Sequence, residues 1–303
     1  MPGAVRTGSI YAIAAFGFWG ITPVYYKLLP HVPPAEILAH RVVWSVMFGA
    51  VFVTVARSWG AVRSSMADRR TLATLALTAA LVSTNWLVYI WAIANEQVMS
   101  TSLGYYINPL VNVLLGMLFL GEKLNRARMV AVLLAVAGTS SLAVEVGSLP
   151  WVSLTLAFSF GFYGLIRKRL GLPGLAALFV ETLLVAPLAL AALAWFHRDG
   201  QGAFGSDLGT SLLLVLAGPV TLLPLLWFAE AARRLPLVTV GFFQYLGPTL
   251  TFLLATLVYD EPFTFAWALT FGLIWTALVV FSGDSLRTRE RLRRAARAAE
   301  ASS

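Results

Sequence analysis

Cysteine is missing from all 303 residues, so neither a disulfide nor a thiolate takes part in what this chain does. Charge is scarce: Asp, Glu, Lys and Arg make up 12% of the residues, about half the share of an ordinary soluble domain. Histidine occurs three times, at His31, His40 and His197, and the spacing does not gather them into one cluster. An intramembrane enzyme would need paired carboxylates, a histidine cluster or an activated serine at depth, and the sequence does not present one. No phosphate-cradling glycine loop of the Walker type is present, which argues against an ATP-driven pump. Accordingly, no catalytic residue, metal ligand or cofactor is expected.

Apolar residues are abundant, at 59%. Ten apolar windows follow one another, over residues 7–28, 34–56, 71–94, 98–120, 127–145, 150–167, 174–196, 210–231, 236–258 and 264–282. At about 1.5 Å per residue, a helix of this length crosses a hydrocarbon core of about 30 Å. The first window closely follows Arg6 and is too long for a cleaved signal core, so it reads as a span. Connections are short and leave no room for a soluble domain. The fold class expected is an all-α polytopic membrane protein.

The net charge of +8 reflects topology rather than a nucleic-acid partner. With the N-terminus inside, nineteen Lys and Arg fall on the inner side, including Arg6, Arg57, Arg63, Lys123, Arg167, Arg233 and the six Arg between Arg287 and Arg297. The outer connections carry Lys27 and Arg198. Positive charge marks the cytoplasmic side, so both termini are expected there. The basic tail, 285–303, would anchor topology and touch anionic lipid. The partners expected are a small-molecule substrate and the lipid bilayer, with oligomeric state left open.

The chain also repeats. Shifted by 139 residues, Tyr106 meets Tyr245, Pro109 meets Pro248, Glu122 meets Glu261, Tyr89 meets Phe228 and Ala92 meets Ala231. Where the link loops differ in length the offset drifts: Phe18-Trp19-Gly20 has a weaker echo in Phe162-Tyr163-Gly164, and Arg41 corresponds roughly to Glu181. Five spans separate each position from its echo, and five is odd. The second half, 146–284, must then run upside down relative to the first, 1–145. That is the inverted-topology repeat common among secondary transporters.

Candidate site residues follow from polarity inside apolar spans. Tyr105, Asn108 and Asn112 share one helical face, and the echo span carries Phe243, Gln244 and Tyr245. A lipid-facing amide would lack partners, so these faces point inward. They would line a cavity, or alternatively hydrogen-bond helix to helix. Deep aromatics with polar tips, Trp19, Trp86, Tyr89 and Tyr163, together with Asn85, would form a pocket for a flat amphiphile or simply fill space. Pro109 and Pro248 each free a carbonyl one turn back, which suits a hinge or gate. Arg41 and Glu181 are the intramembrane charges. Glu181 is a candidate proton carrier, with a structural network as the competing reading. Glu122 and Glu261 follow the ends of their spans and are expected to fix the local turns.

Ala-Glu-Ile-Leu-Ala-His-Arg (35–41), Ser-Leu-Gly-Tyr-Tyr-Ile-Asn-Pro (102–109) and Gly-Phe-Phe-Gln-Tyr-Leu-Gly-Pro (241–248), with the paired prolines and the five-span repeat, resemble the drug/metabolite transporter superfamily in its EamA-type ten-helix branch. The resemblance covers about residues 7–283. It implies a carrier of the bacterial inner membrane with a central cavity formed mainly by spans 1, 3, 4, 6, 8 and 9, exporting metabolites or amino acids. The function expected is export of small amphiphiles, foremost neutral or aromatic amino acids, with drug or sugar-like metabolites as the alternative within the class. An intramembrane enzyme or a non-transporting membrane protein is the alternative of another class.

Overall fold

A computed structural model describes residues 2–94, 98–146, 151–258 and 265–301. Among the described residues there are twelve helices and no strand: α1 (Pro2–Tyr26), α2 (Pro34–Val55), α3 (Trp59–Ala67), α4 (Arg69–Ala94), α5 (Val98–Leu120), α6 (Arg126–Val146), α7 (Trp151–Leu170), α8 (Gly174–Arg198), α9 (Leu208–Arg234), α10 (Leu237–Gln244), α11 (Leu246–Leu257) and α12 (Phe265–Ala301). Seven stretches of the described chain are long and apolar enough to cross a membrane: α2, most of α4, α5 and α12, all of α8 and α9, and the run through α10 into α11. The helices α1, α6 and α7 are diluted by Gly, Ser, Thr or terminal cations. Part of that polarity faces other helices: Thr270 of α12 donates to the Gly138 carbonyl of α6 at 3.0 Å.

Three differences from the ten-window reading have local causes. The short helix α3 lies between the second and third windows and packs on α8. The ninth window is not one helix. Pro248 lacks the N–H that would bond the Gln244 carbonyl, and Tyr245 N–H turns to Phe242 O at 3.3 Å, so α10 ends and α11 begins at Tyr245. Pro109, the counterpart, sits inside an uninterrupted α5. Finally, α12 continues from the tenth window through the basic tail to Ala301.

Helix starts carry legible chemistry. Pro34 occupies the first turn of α2, where a missing N–H is tolerated. Asp207 caps α9 by accepting from Thr210 N–H at 2.8 Å. Asp68 does the same for α4 from Thr71 N–H at 2.9 Å.

The packing pairs counterparts. α1 lies on α9 and α11, while α7 lies on α4 and α5. α2 packs on α9, and α8 on α4. Between the halves, α2 meets α8, α6 meets α12 and α5 meets α10. At one end of the bundle, a Cβ at Gly8 of α1 would lie 2.9 Å from Leu235 Cγ. Lys168, at the close of α7, donates to the carbonyl of that same Leu235. So α1 begins where α7 ends. Close helix approach relies on missing side chains: a Cβ at Gly218 would come within 2.6 Å of the Trp44 backbone.

Two apolar clusters fill the interior. One joins α5, α6, α10 and α12 around Tyr106, Phe242, Tyr245 and Phe271. The other joins α1, α4, α7, α8, α9 and α10 around Phe16, Tyr163 and Phe228. Outward, Ile13, Val51, Leu87, Leu118, Leu188 and Val279 are all exposed. An apolar shell of this extent would drive aggregation in water and suits acyl chains.

Candidate functional site

The amides predicted from the paired motifs come together. Asn112 Nδ2, on α5, donates to Gln244 Oε1 on α10 at 2.7 Å and to Asn108 Oδ1 at 3.3 Å. All three side chains are buried. The helices can meet because position 241 is glycine: a Cβ there would stand 2.8 Å from the Pro109 carbonyl oxygen. Beside this cluster, Tyr245 OH donates to the Tyr106 carbonyl at 3.4 Å, linking two positions that are each other's echo. The amide group has one loose end, since Asn112 Oδ1 is buried without a hydrogen-bond partner. A Cβ at Gly164 of α7 would lie 3.8 Å from it.

The predicted aromatics fall into two groups, one around Phe228 and a tyrosine pair. Trp19 of α1 packs on Phe16, Phe160 and Phe228 at ring distances of 5.6, 5.7 and 6.0 Å. Tyr163 of α7 stacks on Phe228 at 6.0 Å, and Phe243 packs against the same cluster. On α4, Asn85 Nδ2 donates to the Leu156 carbonyl at 2.8 Å and to Ser159 Oγ at 2.9 Å, tying α4 to α7. Tyr89, one turn on, faces Tyr105 of α5 with ring centroids 5.9 Å apart. Unlike the amides, Tyr105 keeps 42% of its surface accessible.

Arg41 of α2 sits near this tyrosine pair. Its Nε donates to Thr221 Oγ1 of α9 at 2.8 Å. The guanidinium lies 4.7 Å from the Trp86 ring centroid and 5.8 Å from that of Tyr26. Trp86 precedes Tyr89 by one helical turn on α4, which brings the guanidinium to the side of the Tyr89–Tyr105 pair. Among the described residues, no carboxylate comes within ion-pair distance of Arg41.

Glu181 of α8 is placed differently. Its carboxylate accepts from Thr78 Oγ1 of α4 at 2.6 Å and from Tyr163 OH at 3.4 Å, and Arg167 Nη1 of α7 stands 3.5 Å away. Both members of the pair are buried. Arg167 also donates to the Gly174 carbonyl at 3.1 Å. The sequence reading assigned Arg167 to the inner loops as a topology signal; here it folds back as the counter-ion of Glu181.

Two further carboxylates act at helix starts. Glu122 does not close its own turn alone, as its place at a span end suggests. It reaches α10 and accepts from Leu237 N–H at 2.6 Å and Val238 N–H at 2.8 Å, where the helix dipole favours an anion. Its echo, Glu261, lies outside the described residues. Glu230 accepts from Gly174 N–H at 3.1 Å, the first residue of α8, and pairs with Arg233 at 2.9 Å and with Arg234. At the other end of the bundle, a cavity of about 270 Å³ is lined by Glu36, His40, Trp44, His197 and Phe204, among others. It brings together two of the histidines that the sequence spacing kept apart. Tyr26 and this cavity lay outside the sequence prediction; the one signal was the density of polar residues between Tyr25 and Arg41.

A bundle of long apolar helices with a lipid-compatible shell and a polar and aromatic interior defines a multi-pass membrane protein. The chain matches the EamA-like transporter family over residues 6–144 and again over 149–283, and it belongs to that family, with one family domain in each half. It is 48% identical over 291 residues to an uncharacterized transporter of Vibrio cholerae, spanning 96% of both chains. It is 43% identical over 287 residues to the protein RarD of Escherichia coli, spanning 94% of this chain and 97% of that one. A solved structure described as the crystal structure of a protein shares the fold at a TM-score of 0.69 and 18% identity, covering 91% of this chain and 96% of the other.

Proposed function

We propose that this chain is a secondary exporter of small amphiphilic metabolites, foremost neutral or aromatic amino acids, working by alternating access between two inverted five-span repeats. The repeats are 1–145 and 146–284, followed by the basic tail 285–303. Counting α10 and α11 as one broken span and leaving α3 at the membrane surface gives ten spans. The exchange of packing partners between counterpart helices, and the meeting of α1's start with α7's end at Leu235, support the inversion. The positive-inside distribution supports cytoplasmic termini in a bacterial inner membrane.

The observation that carries the reading is the aromatic grouping: Trp19, Trp86 and Tyr163 pack in one cluster from α1, α4 and α7, and the Tyr89–Tyr105 pair of α4 and α5 starts one helical turn from Trp86. Aromatic faces would hold an apolar side chain. The amides Asn85, Asn108, Asn112 and Gln244 tie α4 to α7 and α5 to α10 and offer Asn112 Oδ1 as an acceptor. Rocking of the halves would use the break at Tyr245, with Pro248 and Pro109 as the paired hinge positions. No ion need be carried by Glu181 in this scheme, because Arg167, Thr78 and Tyr163 already engage it.

Uptake of labelled phenylalanine into inverted vesicles, which is export in the cell's sense, tests the site. Tyr105→Ala and Asn108→Ala, each shown to fold by thermal unfolding, should lose most of it. Wild-type rates in both variants would overturn the site.

A further inference from the structure

An arginine within the hydrocarbon layer is costly unless something engages it. In this chain Arg41 uses Nε on Thr221 and one face of its guanidinium on Trp86. Ring contacts engage the π side of the guanidinium and leave its in-plane Nη–H groups free. Among the described residues, those Nη atoms have no hydrogen-bond partner. The hydroxyls of Tyr26, Tyr89 and Tyr105 have none either, although neighbouring Tyr25 donates to the Leu213 carbonyl at 2.7 Å. The Tyr26 ring centroid lies 5.8 Å from the guanidinium, Tyr89 stands one helical turn from Trp86, whose ring lies 4.7 Å from the same group, and Tyr105 packs on Tyr89 at 5.9 Å.

The cluster is therefore one-sided. Four side chains from α1, α2, α4 and α5 bring N–H and O–H donors to one place with no acceptor among them except the hydroxyl oxygens. A lone cation with donors around it is complementary to an anion with two in-line oxygens, which Arg binds through paired N–H bonds. Trp86 and the accessible ring of Tyr105 supply apolar surface beside it. We infer that Arg41, with Tyr26, Tyr89 and Tyr105, forms a carboxylate receptor that holds the acidic end of an amphiphilic substrate while the neighbouring aromatics hold the rest. This assignment rests on the proposed transport reading and sharpens it: the substrates carry a carboxylate, and their amides and amines are discriminated against.

Equilibrium binding to the purified full chain in detergent tests it, using labelled L-phenylalanine, 3-phenylpropionate and L-phenylalaninamide. The wild type should bind both acids more tightly than the amide by about tenfold to a hundredfold, the range for hydrogen bonds to a charged group. Arg41→Gln should lower the acids to the level of the amide. Arg41→Lys, which keeps the charge and loses the paired geometry, should fall between. Tyr105→Phe and Tyr89→Phe remove only a hydroxyl and should each weaken the acids several-fold. Equal binding of acid and amide by the wild type, retained discrimination in a folded Arg41→Gln, or no saturable binding of either acid would overturn the assignment. The outcome separates from the transport reading. Acid-selective binding without movement across proteoliposomes leaves the receptor and removes the carrier. Movement of phenylalanine and its amide at equal rates leaves the carrier and removes the receptor.

Discussion

Arg41 and Glu181 occupy roughly corresponding positions in the two halves, and the molecule treats them in opposite ways. Glu181 is enclosed: Thr78, Tyr163 and Arg167 bring it a hydroxyl, a phenol and a counter-charge from two other helices. Arg41 faces aromatic rings and a single hydroxyl, with no opposite charge among the described residues. The first arrangement resolves a buried charge by internal pairing and pins α4, α7 and α8 together. The second leaves a charge to be resolved from outside. A duplicated fold can thus assign stability to one copy of a position and recognition to the other.

Substitutions should separate the two. Glu181→Leu leaves Arg167 buried without its carboxylate, and losing one member of such a pair costs about 3–5 kcal/mol. A large fall in thermal unfolding temperature should follow, and Arg167→Met in the same chain should restore much of it. No such restoration would show that the pair is not what matters at Glu181. Arg41→Gln should cost far less, about 1 kcal/mol, because no charge is left unpaired, and buried Thr221, which loses the Arg41 Nε bond, keeps its own bond to the Ala217 carbonyl. A fall as large as that of Glu181→Leu would erase the contrast.

Smaller effects lie at the helix starts. Glu122→Ala removes the carboxylate from Leu237 and Val238 N–H and should cost about 1 kcal/mol, the usual worth of a lost cap; it should also speed amide exchange at the start of α10. At Asp207 the Thr210 hydroxyl and N–H hold the carboxyl below its ordinary range. Its contribution is therefore present above the unfolded-state pKa and lost as pH falls through the lowered folded value. Amide exchange at Thr210 should rise only in strong acid, and Asp207→Asn should remove that pH dependence.

Much of this was legible in the sequence because it is local or periodic. Apolar windows locate the helices, and the 139-residue echo pairs Tyr106 with Tyr245, which the structure joins by a hydrogen bond. The shared face of Asn108 and Asn112 follows from helical spacing and indeed meets Gln244. What was not legible depends on contacts distant in sequence. Arg167 reads as a loop cation because nothing in its neighbourhood shows that its side chain reaches back to Glu181. Glu122 lies 115 residues from Leu237, whose N–H it accepts, so its span-end position suggested only a turn. The break at Tyr245 escaped because Pro248 and Pro109 look alike in sequence, while α5 continues through its proline and α10 does not.

Counterflow in proteoliposomes bears most directly on the transport reading. Vesicles loaded with unlabelled phenylalanine and diluted into a trace of labelled phenylalanine should accumulate the label transiently above its outside concentration, and Tyr105→Ala should abolish the overshoot. Label that only equilibrates, or no uptake beyond protein-free vesicles, would contradict a carrier that exposes one site to each side in turn.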